Sequence, residues 1–465
     1  MGGRLMCGVV GIRSEGRDVA RLAYFGLFAL QHRGQESAGI AVSDHGRLTV
    51  LRELGLVTQA FTEQTLRGLH GQLAIGHVRY STTGGNRWAN AQPLVHHGRA
   101  RTIALGHNGN LVNAARLREE LGIPLKSSSD SEAIAALVAQ HEGPLEEAIG
   151  AAMARLEGAY SCVALTGGEL AAFRDPYGFR PLCLGRLGDG DWVVASETCA
   201  LDLLGAAYER EVRPGEVVVV GADGDLRSLQ AVEPAARGAL CIFEFFYLAR
   251  PDSRLSEVEV HGARIRMGER LAAEAPVAAD LVLPIPDSGT PAAIGFARAS
   301  GIPFSEGLIK NRYVGRTFIQ PDQAMRELGV HLKFNPLAEL TGKRLVIVDD
   351  SIVRGNTTRQ LVAMLFDAGA AEVHVRVSSP PVVGQCFYGI DLADPAELVA
   401  SSRTVDGVRE HIGATSLAYL SLEGLQAATR RPAEALCRAC LTREYPTPVP
   451  VELGKLRFEG ASSRT

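Results

Sequence analysis

Short apolar runs broken by Gly turns fill the chain up to about residue 230, a pattern of strands closed by tight turns. The valine run 217–220 ends at Gly221, Ala222, Asp223 and Gly224, which predicts a hairpin. Residues 230–238 (QAVEPAARG) combine small residues with Pro and read as a linker. From about residue 281 the rhythm changes to strand, loop, helix. Leu281, Val282 and Leu283 lead into Pro286, Asp287, Ser288 and Gly289, and then into an Ala-rich helical stretch. Residues 345–348 (LVIV) are continuously apolar, as expected of a parallel strand covered on both faces. A loop over 349–358, a helix through 361–366 and a strand carrying Val373, Val375 and Val377 complete a βαβ unit. The tail 460–465 is expected to fray.

Composition narrows the classes. At 465 residues the chain has room for two or three domains, and 46% hydrophobic residues supply their cores. The net charge of −4 comes without a block of like charge, so neither nucleic acid nor an anionic membrane is the expected partner. No uncharged apolar run approaches the roughly 18 residues of a membrane span. The first residues lack a signal-type hydrophobic region, and Met6 breaks a myristoylation pattern at Gly2. The expected location is the cytoplasm. There eight cysteines point to burial, catalysis or metal rather than to a disulfide framework. Only five of the 48 basic residues are Lys, which makes Lys310 and Lys343 stand out.

The most specific segment is 344–360, RLVIVDDSIVRGNTTRQ. Asp349 and Asp350 fall where a buried parallel strand ends, the ligand crevice of an open α/β sheet. Ser351, Arg354, Gly355, Asn356, Thr357 and Thr358 then turn into a helix, whose first N–H groups and hydroxyls suit phosphate. Two carboxylates beside a phosphate cradle suit a ribose diol, directly or through Mg²⁺. The Asp pair alone would read as a solvated turn; the cradle behind it turns the reading toward function.

Cys7 alone would read as a small buried hydrophobe. Freed of the six residues before it, however, its α-amino group, with a reference pKa of roughly 7.7–8.0, would act as a general base at neutral pH. Oxyanion donors and a substrate clamp would come from 31–35 (QHRGQ), 77–82 (HVRYST), 107–110 (HNGN) and 127–130 (SSSD). Each is weak by itself, since Asn-Gly is usually a hairpin turn and Ser-Ser-Ser-Asp a helix cap. Cys437 and Cys440 form a C-x₂-C pair that could be a zinc half-site, a redox pair or two buried thiols.

Residues 344–360 resemble the 5-phosphoribosyl-1-diphosphate (PRPP) signature of type I phosphoribosyltransferases. Arg354 looks like the glutamine amidotransferase branch, and Asn356 stands where Thr is expected. The ordered set from Cys7 to Asp130 resembles class II glutamine amidotransferases. Together with Arg79-Tyr80 and 310–321 (KNRYVGRTFIQP), these motifs are similar to the amidophosphoribosyltransferases over nearly the whole chain, from Cys7 to about Pro446.

The resemblance implies an α+β N-terminal-nucleophile (Ntn) αββα sandwich over 7–235. An α/β type I phosphoribosyltransferase domain with a parallel sheet and a C-terminal extension follows over 240–465. Residues 1–6 would be a leader or a misassigned start, so that the mature chain begins at Cys7. Cys7 is then the nucleophile, Asn108 and Gly109 form the oxyanion hole, and Arg79 and Asp130 hold the glutamine carboxylate and amine, with Arg33 and Thr82 supporting the pocket. Residues 349–351 and 354–358 bind PRPP under a lid that carries Lys310 and Arg316. One Mg²⁺ per subunit involves Ser288, Asp349 and Asp350. Cys241, Cys386, Cys437 and Cys440 match the positions of a [4Fe–4S] cluster in some members, although four soft thiolates also suit zinc. Cys162, Cys183 and Cys199 match nothing and read as core thiols. The implied oligomer is a homotetramer inhibited by purine nucleotides. The rival readings are another class II amidotransferase, against which the 349–358 loop argues, and a non-catalytic PRPP-sensing regulator, against which Cys7, Asn108 and Asp130 argue.

Overall fold

The structure is a computed structural model that describes residues 6–81, 85–188, 190–311, 333–392 and 395–449. Two antiparallel sheets stack in the first half. One has the strand order 207–211, 183–187, 191–195, 8–13, 73–79, 37–44, 47–54; the other runs 226–230, 216–221, 169–174, 158–165, 102–111, 94–97. Period-two alternation explains the stacking. Val9 faces the second sheet with Leu73 and Ile75, while Val10 and Ile12 face the helices Val19–Ala29 and Thr198–Leu204. On the far side, Ile103, Leu105 and Cys162 meet the helices Ala114–Leu121, Ser131–Gln140 and Leu145–Met153. The layers are therefore helix, sheet, sheet, helix. The valine run is the strand Glu216–Gly221, and it pairs antiparallel with Leu226–Gln230 as a hairpin.

In the second half four parallel strands lie in sequence order: Leu281–Pro284, Arg344–Asp349, Glu372–Val377 and Ser416–Tyr419. Val282, Val346 and Val348 pack on one face. Leu283, Leu345, Ile347 and Val375 pack on the other, under the helices Asn356–Asp367 and Val405–Ile412. Burial on both faces is why the LVIV run shows no alternation. Among the described residues no helix is long and apolar enough to cross a membrane. Cys162, Cys183 and Cys199 are core thiols.

The helices Val260–Glu274 and Thr290–Ser300 approach closely through two glycines. A Cβ on Gly268 would lie 1.8 Å from the Ala292 carbonyl oxygen, and one on Gly295 would lie 2.0 Å from that of Ile265. Gly268→Ala is therefore expected to destabilise the fold by about 1–3 kcal/mol, the usual cost of overpacking. Denaturant unfolding followed by tryptophan fluorescence and circular dichroism would measure it, and an unchanged midpoint would contradict the close crossing.

Two candidate active sites and the seam between them

Cys7 precedes the central strand Gly8–Arg13, and its sulfur lies 3.5 Å from the Tyr80 carbonyl oxygen. Burial pushes the thiol up to about 11; the nearby Arg79 cation opposes that rise, while Glu36 and Asp130 add to it. The three residues named for the substrate pocket or beside it thus lie within electrostatic reach of the sulfur. Arg79 is buried, and its Nη1 donates to Ser81 Oγ at 3.0 Å and lies 3.7 Å from Glu36 Oε2. Glu36 also accepts the Ser81 N–H at 2.9 Å.

Asn108 and Gly109 do not form a turn. They lie inside the strand Thr102–Leu111, which pairs with Gly158–Leu165. Gly109 has φ 150°, and a Cβ there would meet the Ala159 carbonyl oxygen at 2.0 Å, so no side chain fits. The Asn108 amide is fully buried, and neither its oxygen nor its nitrogen has a hydrogen-bond partner. An orphaned buried amide is costly, and an incoming ligand would repay that cost. Asp130 precedes the helix Ser131–Gln140 but makes no side-chain cap bond. Its Oδ2 instead accepts the Leu111 N–H at 2.8 Å, on the same strand as Asn108.

Arg33 lies at the seam between the halves, fully buried. Its Nε donates to the Cys7 carbonyl oxygen at 3.0 Å. Its other donors meet Glu197 and Glu244. Thr82 and Arg316 lie outside the described residues, as does the lid segment beyond Asn311 up to residue 332.

In the second half Asp349 and Asp350 are both buried at the end of their parallel strand. Burial, and then the charge of Asp350, raises the Asp349 carboxyl well above the usual range. The Ser288 and Ser351 hydroxyls both donate to Asp350, the second at 2.6 Å. Crowded carboxylates with hydroxyls beside them fit a hydrated divalent cation, whose charge would reverse that strain. Gly355, at φ 75°, turns the chain into the helix Asn356–Asp367, so that the helix start opens beside the carboxylates. Two expected phosphate cations are engaged elsewhere: Arg354 Nε donates to Glu397 at 3.1 Å, and Lys310 pairs with Asp287.

The four candidate cluster cysteines converge. Leu240–Cys241 pairs in parallel with Leu436–Cys437, so that Cys241 stands opposite Cys437. Burial comes first in pushing up the thiols of Cys241, Cys437 and Cys440, and the neighbouring cysteines push further in each case. Among the described residues no three His, Cys, Asp or Glu side chains are grouped to hold a single ion.

Cys386 also begins a loop that reaches the first half. The Asn110 side chain donates to the Phe387 carbonyl at 2.9 Å, Arg180 donates to the Tyr388 carbonyl at 2.8 Å, and Tyr80 Oη donates to Asp391 at 3.0 Å. The sequence reading missed Glu36, Glu197, Glu244 and Asp391. Glu244 had a signal, a lone carboxylate in the apolar run 242–246 (IFEFF), because a buried charge requires a partner. Glu197 had none.

Fold and sites together define a class II glutamine amidotransferase joined to a phosphoribosyltransferase. The glutamine amidotransferase domain family matches residues 77–203. An amidophosphoribosyltransferase of Mycobacterium tuberculosis is 52% identical over 468 residues, covering 97% of this chain and 88% of that protein. One from Archaeoglobus fulgidus is 49% identical over 457 residues, covering 96% and 99%. A glutamine PRPP amidotransferase from B. subtilis, solved with ADP and GMP, superposes with a TM-score of 0.90 at 45% identity, covering 96% of this chain and 98% of that one. The chain belongs to the amidophosphoribosyltransferase family.

Asn108→Ala is expected to slow glutamine hydrolysis by roughly 10²–10³, the usual cost of one lost oxyanion donor, with ammonia-dependent product formation unchanged. Parallel assays with the two nitrogen sources would decide; a loss below about tenfold would remove Asn108 from the oxyanion hole.

Proposed function

We infer that this chain forms 5-phosphoribosylamine, glutamate and diphosphate from PRPP, glutamine and water, the first step of purine nucleotide synthesis. The observation that carries the reading is the pairing of two unlike sites: a buried Cys7 served by the orphaned Asn108 amide, and a buried carboxylate pair at a phosphate-ready helix start. Residues 7–235 act as the glutaminase and 240–465 as the transferase.

The Cys7 thiol gives its proton to the freed α-amino group of the same residue and attacks the side-chain amide carbon of glutamine. The oxyanion forms against the Asn108 amide and the Gly109 N–H. The α-ammonium returns its proton to the amide nitrogen, so that collapse expels ammonia and leaves a thioester on Cys7, and water, deprotonated by the same amine, hydrolyses that thioester to glutamate and the free thiol. Arg79 holds the substrate carboxylate and Asp130 the α-amine, while Arg33 supports the pocket from behind. Thr82 is assigned to the same pocket by likeness alone.

Ammonia then attacks the anomeric carbon of PRPP, and diphosphate leaves. Residues 349–351 and 354–358 bind the ribose and its 5-phosphate, and Lys310 is assigned to the diphosphate, with Arg316 assigned there by likeness alone. A Mg²⁺ ion held by Asp349 and Asp350, with Ser288 alongside, would neutralise charge on that leaving group. Reaching the diphosphate requires Lys310 to exchange Asp287 for it. Cys241, Cys386, Cys437 and Cys440, which couple to one another electrostatically, would hold a [4Fe–4S] cluster through four soft thiolates. Its role would be structural, joining the segment 436–440 to the start of the second domain. Inhibition by purine nucleotides draws on the ADP and GMP bound by the B. subtilis relative, and a cytoplasmic homotetramer is assigned by likeness alone.

Cys7→Ala should abolish use of glutamine and leave synthesis from added ammonia intact, whereas Asp349→Asn should impair both. Coupled assays of diphosphate release under each nitrogen source test this; loss of the ammonia reaction in folded Cys7→Ala protein would overturn the two-site reading. Protein purified without oxygen should contain about four iron and four sulfide per chain, and Cys437→Ser should lose both. Colourless, fully active protein with zinc or no metal would overturn the cluster.

A further inference from the structure

Glu244 belongs to the transferase half, where it opens the π-helical turn Glu244–Leu248. It is fully buried, and both carboxylate oxygens point into the glutaminase half. Oε1 accepts from Arg33 Nη2 at 2.8 Å and from Arg180 Nη1 at 3.4 Å, and Oε2 accepts from Arg33 Nη1 at 3.1 Å. Two bonds to one carboxylate fix the plane of the Arg33 guanidinium, because the fork is rigid. The remaining Nε–H is thereby aimed at the Cys7 carbonyl oxygen, 3.0 Å away. Glu197 holds the other side of Arg33 and is itself fixed by Ser253 Oγ at 2.6 Å and the Arg250 N–H at 2.9 Å. The turn that carries Glu244 is also pinned: Arg264 donates to the carbonyls of Phe245 and Ala249, each at 2.8 Å.

We propose that Glu244 is a positioning residue for the nucleophile: acting through Arg33, it sets the peptide plane that follows Cys7, so that the glutaminase site is completed by a side chain of the transferase half. Glu244 touches neither glutamine nor the sulfur. Its effect is orientation, and a small misplacement of a nucleophile is expensive. Single π-helical turns recur at functional sites, and this one carries the carboxylate that crosses the seam. The proposal rests on the reading of Cys7 as the nucleophile.

Two variants test it. Glu244→Gln keeps the shape and removes the charge. Glu244→Gln combined with Arg180→Gln removes one charge of each sign, which keeps the buried charge balanced if the single variant folds poorly. The kcat with glutamine should fall about 10- to 100-fold, with KM for glutamine within about threefold. Alkylation of Cys7 by iodoacetamide should slow in parallel, and ammonia-dependent synthesis should persist. Glu244→Asp, which restores the charge on a shorter arm, should recover part of the loss. A glutamine kcat within about twofold of the unsubstituted protein would overturn the proposal, as would equal loss of both nitrogen sources in both variants. In the first case, continued failure of Cys7→Ala to use glutamine would leave the nucleophile in place and remove only Glu244 from its support.

Discussion

A guanidinium taken out of water must be given back its counter-charge and all its hydrogen-bond acceptors, and the seam of this protein is built around that requirement. Arg33, Arg180, Glu197 and Glu244 are at most 1% exposed. Two positive and two negative groups balance, so the cluster carries no net charge into the interior. Such a cluster adds little net stability, because desolvation offsets attraction, yet removing one partner costs about 3–5 kcal/mol. Against a total stability of roughly 5–15 kcal/mol, that cost is large. Glu244 comes from the second half and the other three from the first. Taking Glu244 away therefore removes a partner from both Arg33 and Arg180, and Arg33 lies behind Cys7.

A second seam follows from the first through Arg180, which donates to Glu244 and also to the Tyr388 carbonyl. Tyr388 lies in the loop that begins at Cys386 and ends near Asp391. Gly389, at φ 108°, is so close that a Cβ on it would sit 3.0 Å from the backbone of Gly109. Backbone thus packs on backbone at the strand that carries Asn108. The loop thus begins at a cysteine of the four-thiol group, packs on the strand that carries Asn108, and accepts from Arg180, which pairs with Glu244.

The halves differed in how readily their patterns could be read. The LVIV run and the Asp-Asp turn announced a covered parallel strand with a ligand crevice, because burial on both faces and a strand-end carboxylate pair are local signals. The αββα layering was not local. Nothing in the strands says which face meets a helix and which meets the other sheet, and only the likeness of the ordered motifs supplied it. Asn108-Gly109 shows the same limit: the dipeptide reads as a turn, and a pairing with residues some fifty positions away makes it a strand. Glu197 and Asp391 gave no sequence signal, because their partners Arg33 and Tyr80 are distant in the chain. Lys310 and Arg354 were read as phosphate cations from composition and likeness, and their pairing with Asp287 and Glu397 depends on side-chain directions that composition does not carry.

The state of Cys7 sets a final constraint. With its nitrogen in a peptide bond to Met6, the thiol is raised to about 11 by burial, so at neutral pH roughly one sulfur in ten thousand is a thiolate. The Arg79 cation alone does not overcome the burial penalty, and His77, the histidine on the Arg79 strand, is buried, lowered to about 3 by desolvation, and bonded to the His107 carbonyl oxygen. A nucleophile in this setting needs a base that arrives with it. A free α-amino group on Cys7 itself would be such a base. Met6, on the other side of that peptide bond, is fully buried among Phe243, Phe246 and the other apolar residues of the second half's core. Met6 thus joins the nitrogen of Cys7 to the core beside Glu244, so the base that the thiol lacks and the packing of the seam meet at one residue.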